Sequence, residues 1–155
     1  MKRSAGILLY RRSPELEVLL VHPDGPFWSK KDQGAWSIPK GEFEAGEDPL
    51  TVAKREFEEE LGSSAPPGGF IELGELVQPS RKHVAAFAIE GDLDRSKLKS
   101  NRFEMEWPPR SGKMQSFPEV DRAEWFTLDQ AREKILAGQR PFIDRLLERI
   151  GKRAP

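Results

Sequence analysis

The chain has 155 residues, 37% of them hydrophobic, which suits one domain with one core and leaves little room for a second. Its 25 basic and 26 acidic residues nearly cancel to a net charge of −1, so bulk charge gives no reason to bind nucleic acid or a membrane. With no cysteine, disulfides, thiolate metal sites and cysteine nucleophiles are excluded.

The apolar run 5–10, "AGILLY", is too short for a signal-peptide core, and Arg11 and Arg12 follow it at once. No stretch approaches the length of a membrane span. The expectation is a soluble, cytoplasmic protein with a single domain over 1–155. "AGILLY" and "LEVLLVH" are strand-like, and "RRSPE" between them has turn chemistry, which predicts a hairpin. "PDGPFWSKKDQG" is a loop with two aromatics. "AWSIP" alternates large and small side chains and predicts a short strand stopped by Pro39. A helix follows over 48–62, with Asp48 suited to the N-cap, Pro49 to the first turn and Gly62 to the left-handed exit.

"FIELGELVQ" and "HVAAFAIEG" predict two more strands, 92–115 is expected to be irregular, with "EWPPRSGK" a long loop, and "AEWFTL" a last short strand. "TLDQAREKILAG" starts a helix at Thr127 or Asp129 that stops at Gly138. "PFIDRLLERIG" is a terminal helix with Phe142, Ile143, Leu146, Leu147 and Ile150 at helical spacing. Strands, a helix, more strands and two helices make an α+β pattern with a mixed sheet, not regular βαβ alternation.

"REFEEELG" puts four glutamates into eight residues of the predicted helix. At about 100° per residue, Leu50, Ala53, Phe57 and Leu61 share one core-facing stripe. Glu56, Glu59 and Glu60 cluster on one side of it, and Glu58 falls on the other. Three convergent carboxylates raise one another's pKa values unless a cation sits among them, and Mg²⁺ takes such oxygen ligands together with substrate phosphate. The competing reading is an ordinary solvated helix face, to which a Lys54–Glu58 pair across one turn would belong.

The stretch before the helix decides between them. Over 41–63, "GEFEAGEDPLTVAKREFEEELGS" resembles the signature of the Nudix hydrolases: Gly, five residues, Glu, seven residues, then Arg-Glu-apolar-any-Glu-Glu-any-Gly-apolar. Gly41, Glu47, Arg55, Glu56, Phe57, Glu59, Glu60 and Gly62 match in register. Ser63 stands where the family usually has an aliphatic residue, which implies a local packing difference after the helix stop.

The resemblance implies an α/β/α sandwich around a central mixed sheet and hydrolysis of a phosphoanhydride in a nucleoside diphosphate linked to another group. It further implies Mg²⁺ (or Mn²⁺) held by Glu56, Glu59, Glu60 and the Gly41 carbonyl. Arg55 would orient a carboxylate, with Glu47 as its partner, and Glu59 or Glu60 would take the proton from water. Some family members draw the base or another metal ligand from later in the chain. Glu104, Glu106 and Glu119 are the candidates, with Glu106 the residue assigned to metal.

"WSIPKGE" over 36–42 is similar to the lead-in of Nudix enzymes acting on dinucleoside polyphosphates or diphosphoinositol polyphosphates. It implies Lys40 as a phosphate contact. Arg81 and Arg110 are further substrate-binding candidates, each of which could equally be surface charge. Lys82 and Lys113 stand beside them, and His83 is expected as a strand-end residue. Trp107, Phe27 or Trp28 could stack on a base, whereas Trp125 belongs to the core. Pro79 stands past the box at about the distance at which ADP-ribose-type enzymes often carry a proline; the competing reading is a proline that ends a strand.

The leading expectation is a nucleotide substrate, first a dinucleoside polyphosphate, then a nucleoside triphosphate. ADP-ribose, a nucleotide sugar, a diphosphoinositol polyphosphate and a non-catalytic nucleotide-binding module remain as alternatives. An RNA-end substrate is argued against by the absence of a long basic stripe. The oligomeric state stays open between monomer and homodimer.

Overall fold

The computed structural model describes residues 2–12, 15–23, 31–94, 98–99, 102–118 and 120–151. Phe27, Trp28 and Glu119 lie outside them.

Strands β1 (Arg3–Arg11), β2 (Glu17–Pro23), β3 (Lys40–Phe43), β4 (Ile71–Val77), β5 (His83–Glu90) and β8 (Val120–Thr127) form one mixed sheet. Its order is β4-β5-β1-β2-β8, with β3 pairing β1 beside the short β1–β2 ladder. β1 runs parallel to β5 and antiparallel to β2 and β3. Because β1 lies at the centre, both of its faces are buried, which accounts for its unbroken apolar run. Ala5, Ile7 and Leu9 pack on one core with Ala53, Phe57 and Leu61 of helix α1 (Pro49–Leu61). Leu8 and Tyr10 pack on the other core, against Phe142, Ile143 and Leu146 of helix α3 (Pro141–Gly151). Ala131 of helix α2 (Leu128–Lys134) joins that second core, so helices cover both faces and the expected α/β/α sandwich is present. Among the described residues no helix is long and apolar enough to cross a membrane.

Helix α1 begins and ends as its end residues predict. Asp48 accepts from the Thr51 N–H at 3.1 Å, and Gly62 closes the helix in the left-handed conformation at φ 78°. Its buried stripe includes Val52 as well as Ala53, Phe57 and Leu61.

Three expectations are corrected. "AWSIP" is not a strand: Trp36 and Ser37 make only isolated bridges, to Ile135 and Val21. The stretch 92–115, expected to be irregular, contains β6 (Arg102–Glu106), which pairs with β7 (Met114–Pro118) as a separate hairpin. Phe103 and Phe117 face each other across it at 5.8 Å. Helix α2 stops at Lys134, short of Gly138, because the chain turns out to bridge Trp36 and then makes a 3-10 turn over Ala137–Gln139.

Candidate functional site

The site forms where β3 passes the C-terminal half of α1. Gly41 pairs with Ala5, so it faces the α1 side of the sheet. A Cβ on Gly41 would overlap the side-chain carboxyl of Glu56, so glycine here is a matter of space. One residue earlier, the Lys40 N–H donates to Glu60 Oε2 at 2.9 Å. Glu60 is only 8% exposed, and a carboxylate that deep needs such a donor. Two box glutamates are thereby held against two consecutive residues of β3.

The remaining box residues stand outward from this contact. Glu59 is half-buried and Glu58 exposed, consistent with the expected difference in their directions. Arg55 spans two carboxylates, with Nη1 3.6 Å from Glu47 Oε2 and Nη2 3.9 Å from Glu56 Oε1. Glu47 is fixed in turn by the Glu44 N–H, which donates to its Oε1 at 2.8 Å. Arg55 thus meets Glu47 across the loop that leads into α1.

Lys40 is electrostatically perturbed. Burial lowers its ammonium pKa below the ordinary lysine value, the nearby Glu60 carboxylate partly offsets this, and Lys82 adds to the lowering. Lys82 itself sits 3.5 Å from Glu42 Oε2. A cleft of about 230 Å³ opens beside these groups, with Lys40, Glu60, Ser37, Ile38, Leu136 and Val120 on its walls. A larger cleft of about 550 Å³ lies against Asp48, Lys54 and Phe70, and none of the box glutamates lines it.

The donor set of Glu56, Glu59 and Glu60 with the Gly41 carbonyl is all oxygen, which fits a hard divalent cation. The Glu56 carboxyl lies against Gly41, the residue whose carbonyl belongs to that set. Among the described residues no three Asp, Glu or His side chains already form a ready-made cage.

The later candidates are placed elsewhere. Glu104 and Glu106 share the exposed face of β6, as their alternation predicts. Glu106 Oε1 accepts from the Arg110 N–H at 2.8 Å inside the hairpin turn, and Arg110 is exposed there at φ 63°. Arg81 is exposed in the tight β4–β5 turn at φ 69°, where its N–H donates to the Gln78 carbonyl at 2.8 Å. His83 opens β5 and pairs with Glu75 at 2.9 Å. Trp125 is half-buried against the α1-side core under the Arg11 guanidinium, 4.1 Å from the ring centroid.

Sequence reasoning missed Gln139 and Ser37, which bond to each other beside the cleft. A buried glutamine in a helix–helix connection gives no local signal of its partner.

A model of the NUDIX domain matches residues 1–146. The octanoyltransferase of Myxococcus xanthus is 32% identical over 124 residues, 80% of this chain but 30% of that protein. Phosphatase NudJ of Escherichia coli (strain K12) is 30% identical over 79 residues, 48% of this chain and 52% of NudJ. The chain therefore spans about a third of the one relative and about half of the other. Among solved structures, a C. elegans Ap4A hydrolase binary complex superposes with a TM-score of 0.65 at 21% identity, covering 98% of this chain and 99% of that one. The NUDIX domain of Shewanella oneidensis NrtR complexed with ADP ribose gives 0.63 at 18% identity, covering 96% and 87%. At such identities the structural likeness speaks for the fold alone.

Proposed function

The chain belongs to the NUDIX domain family, and from that premise we propose that it is a metal-dependent pyrophosphohydrolase. It cleaves a phosphoanhydride in a nucleoside diphosphate-linked substrate, with a dinucleoside polyphosphate the first choice and a nucleoside triphosphate the second. The observation that carries the reading is the double contact of β3 with α1, Gly41 against Glu56 and Lys40 against Glu60, at the wall of a cleft.

Glu56, Glu59, Glu60 and the Gly41 carbonyl would hold Mg²⁺ or Mn²⁺. The ion would neutralise the diphosphate and lower the pKa of the attacking water. Arg55, paired with Glu47, keeps Glu56 oriented. Lys40 contacts a substrate phosphate from the cleft wall, and Glu59 or Glu60 accepts the water's proton. Glu106 is a further ligand candidate, and Arg81 and Arg110 are further phosphate candidates. All three would have to act from the turns in which they stand. The dinucleoside polyphosphate preference rests on the Trp36-to-Glu42 lead-in and on Lys40.

The test is product detection over diadenosine polyphosphates, nucleoside triphosphates, ADP-ribose, nucleotide sugars and diphosphoinositol polyphosphates, each with Mg²⁺, with Mn²⁺ and with EDTA. Metal-dependent turnover of a dinucleoside polyphosphate is the expected result. Nucleotide binding without turnover across the panel would replace the enzyme by a binding module. Glu59→Gln and Glu60→Gln should each lower kcat by about 100-fold or more in folded protein. Glu58→Gln should leave it within about twofold, and equal activity of all three would refute the assignment.

A further inference from the structure

Gln139 ends the 3-10 turn between α2 and α3 and is 1% exposed. A primary amide that deep must have its donors and acceptors met, and the groups that meet these belong to the stretch just before Lys40. Gln139 Oε1 accepts from the Ile38 N–H at 3.1 Å, and its Nε2 donates to Ser37 Oγ at 3.0 Å. The Ser37 hydroxyl then donates to the Ile38 carbonyl at 2.7 Å. Neighbouring bonds continue the seam: the Trp36 N–H donates to the Lys134 carbonyl at 2.9 Å, and the Leu136 N–H to the Trp36 carbonyl at 2.8 Å. Pro39, next in the chain, accepts from the Ile7 N–H at 3.1 Å.

Residues 36–39 are thus an irregular strap that meets strand β2 only at Ser37, which exchanges backbone bonds with Val21 at 2.8 and 3.0 Å. It is pinned on one side by the end of α2 and the 3-10 turn, and on the other by β2 at Ser37 and by β1 at Pro39. Immediately beyond it come Lys40 and Gly41, the two residues that meet Glu60 and Glu56.

We propose that Gln139 is a positioning residue. By holding Ser37 and Ile38 it sets where Lys40 and Gly41 stand against the glutamates of α1, although it touches neither substrate nor ion. The kinetic part of this inference rests on the pyrophosphohydrolase reading; the positional part does not.

The experiment combines kinetics with hydrogen exchange. Gln139→Leu keeps the volume and removes both bonds. It should lower kcat/KM by about tenfold or more, as a small misplacement of a positioning wall does. Gln139→Glu, which keeps the acceptor for the Ile38 N–H, should recover part of the loss. Ser37→Ala should act in the same direction with a smaller loss, and it serves in place of Gln139→Leu if that variant does not fold.

A purely structural role predicts a lower Tm with unchanged kinetics per folded molecule, and that result overturns the proposal. Amide exchange at 36–41 should quicken in Gln139→Leu while α1 keeps its protection. That readout needs no turnover. Quickened exchange in a protein whose wild type turns over nothing on the panel would sink the enzyme reading and leave the pinning intact. Unchanged exchange would sink the pinning itself.

Discussion

At the scale of single residues, Lys40 and Gly41 are where β3 meets the glutamates of α1, and each makes a separate prediction. Burial disfavours the charged form of Lys40, so its ammonium is lost at a lower pH than that of an exposed lysine. A phosphate contact needs that charge. On rising pH, kcat/KM, which reports the free enzyme, should therefore fall on an alkaline limb set by Lys40. In Lys40→Arg, whose guanidinium stays protonated, the limb should move to higher pH even if the plateau drops. A pH profile from 6 to about 11, where an ordinary lysine has lost its proton, checks this, and an unmoved limb would remove Lys40 from the phosphate site. Gly41→Ala is a test of space. The added methyl would take the volume filled by the Glu56 carboxyl and push that side chain off β3. The expected outcome is a Mg²⁺ activation curve shifted to at least about tenfold higher concentration, within the range seen when groups supporting a metal site are disturbed. An unshifted curve would mean that the seat of Glu56 on Gly41 has nothing to do with the ion.

At the scale of elements, α1 was legible because everything that defines it is local. The Asp48 cap, the Gly62 stop and the stripe of Ala53, Phe57 and Leu61 are all read within fifteen residues, and the structure reproduces each. Asp48→Ala removes the cap bond from the Thr51 N–H together with the bond from the Thr51 hydroxyl, and should cost ~1 kcal/mol. Gly62→Ala should cost more. It puts a side chain on a left-handed residue, at ~1–2 kcal/mol, and brings it within 2.8 Å of the Lys99 carbonyl, which is backbone and cannot swing away. Urea unfolding of the two variants checks the order, and an equal or smaller loss for Gly62→Ala would contradict the packing of Lys99 over the helix end. Elements held by distant partners were not legible. The stretch 36–38 looks like a strand because Trp36, Ser37 and Ile38 alternate in size, yet only Ser37 pairs with a strand, at Val21 of β2, and the bonds of Trp36 and Ile38 go to residues 134–139, about a hundred residues on. The hairpin of β6 and β7 is hidden for another reason: charged Arg102, Glu104 and Glu106 line one face, and Phe103 and Phe117 face each other across the pair and not a large core.

At the scale of the whole molecule, the two cores and the site share one scaffold. The central strand β1 is buried on both faces, and it carries β3 along its first half. Glu60 is therefore packed as part of the fold, and an ion bound among the α1 glutamates would be bound by folded protein only. Linkage then requires that the ion stabilise the fold: at a free concentration one hundred times its Kd the gain is about 2.7 kcal/mol. For a chain of this size each kcal/mol raises Tm by about 2–4 °C, so saturating Mg²⁺ or Mn²⁺ should raise Tm by about 5–11 °C. Glu56→Gln should abolish most of that rise and Glu58→Gln should preserve it, which separates specific ligation from general screening of an acidic helix. Differential scanning calorimetry of the three proteins, with NaCl matched in ionic strength as the control, decides the matter without any substrate. A rise of equal size in all three, or in NaCl alone, would mean that Glu56 ligates no ion and that the effect is general screening. The close seating of Glu56 on Gly41 would then be a matter of packing.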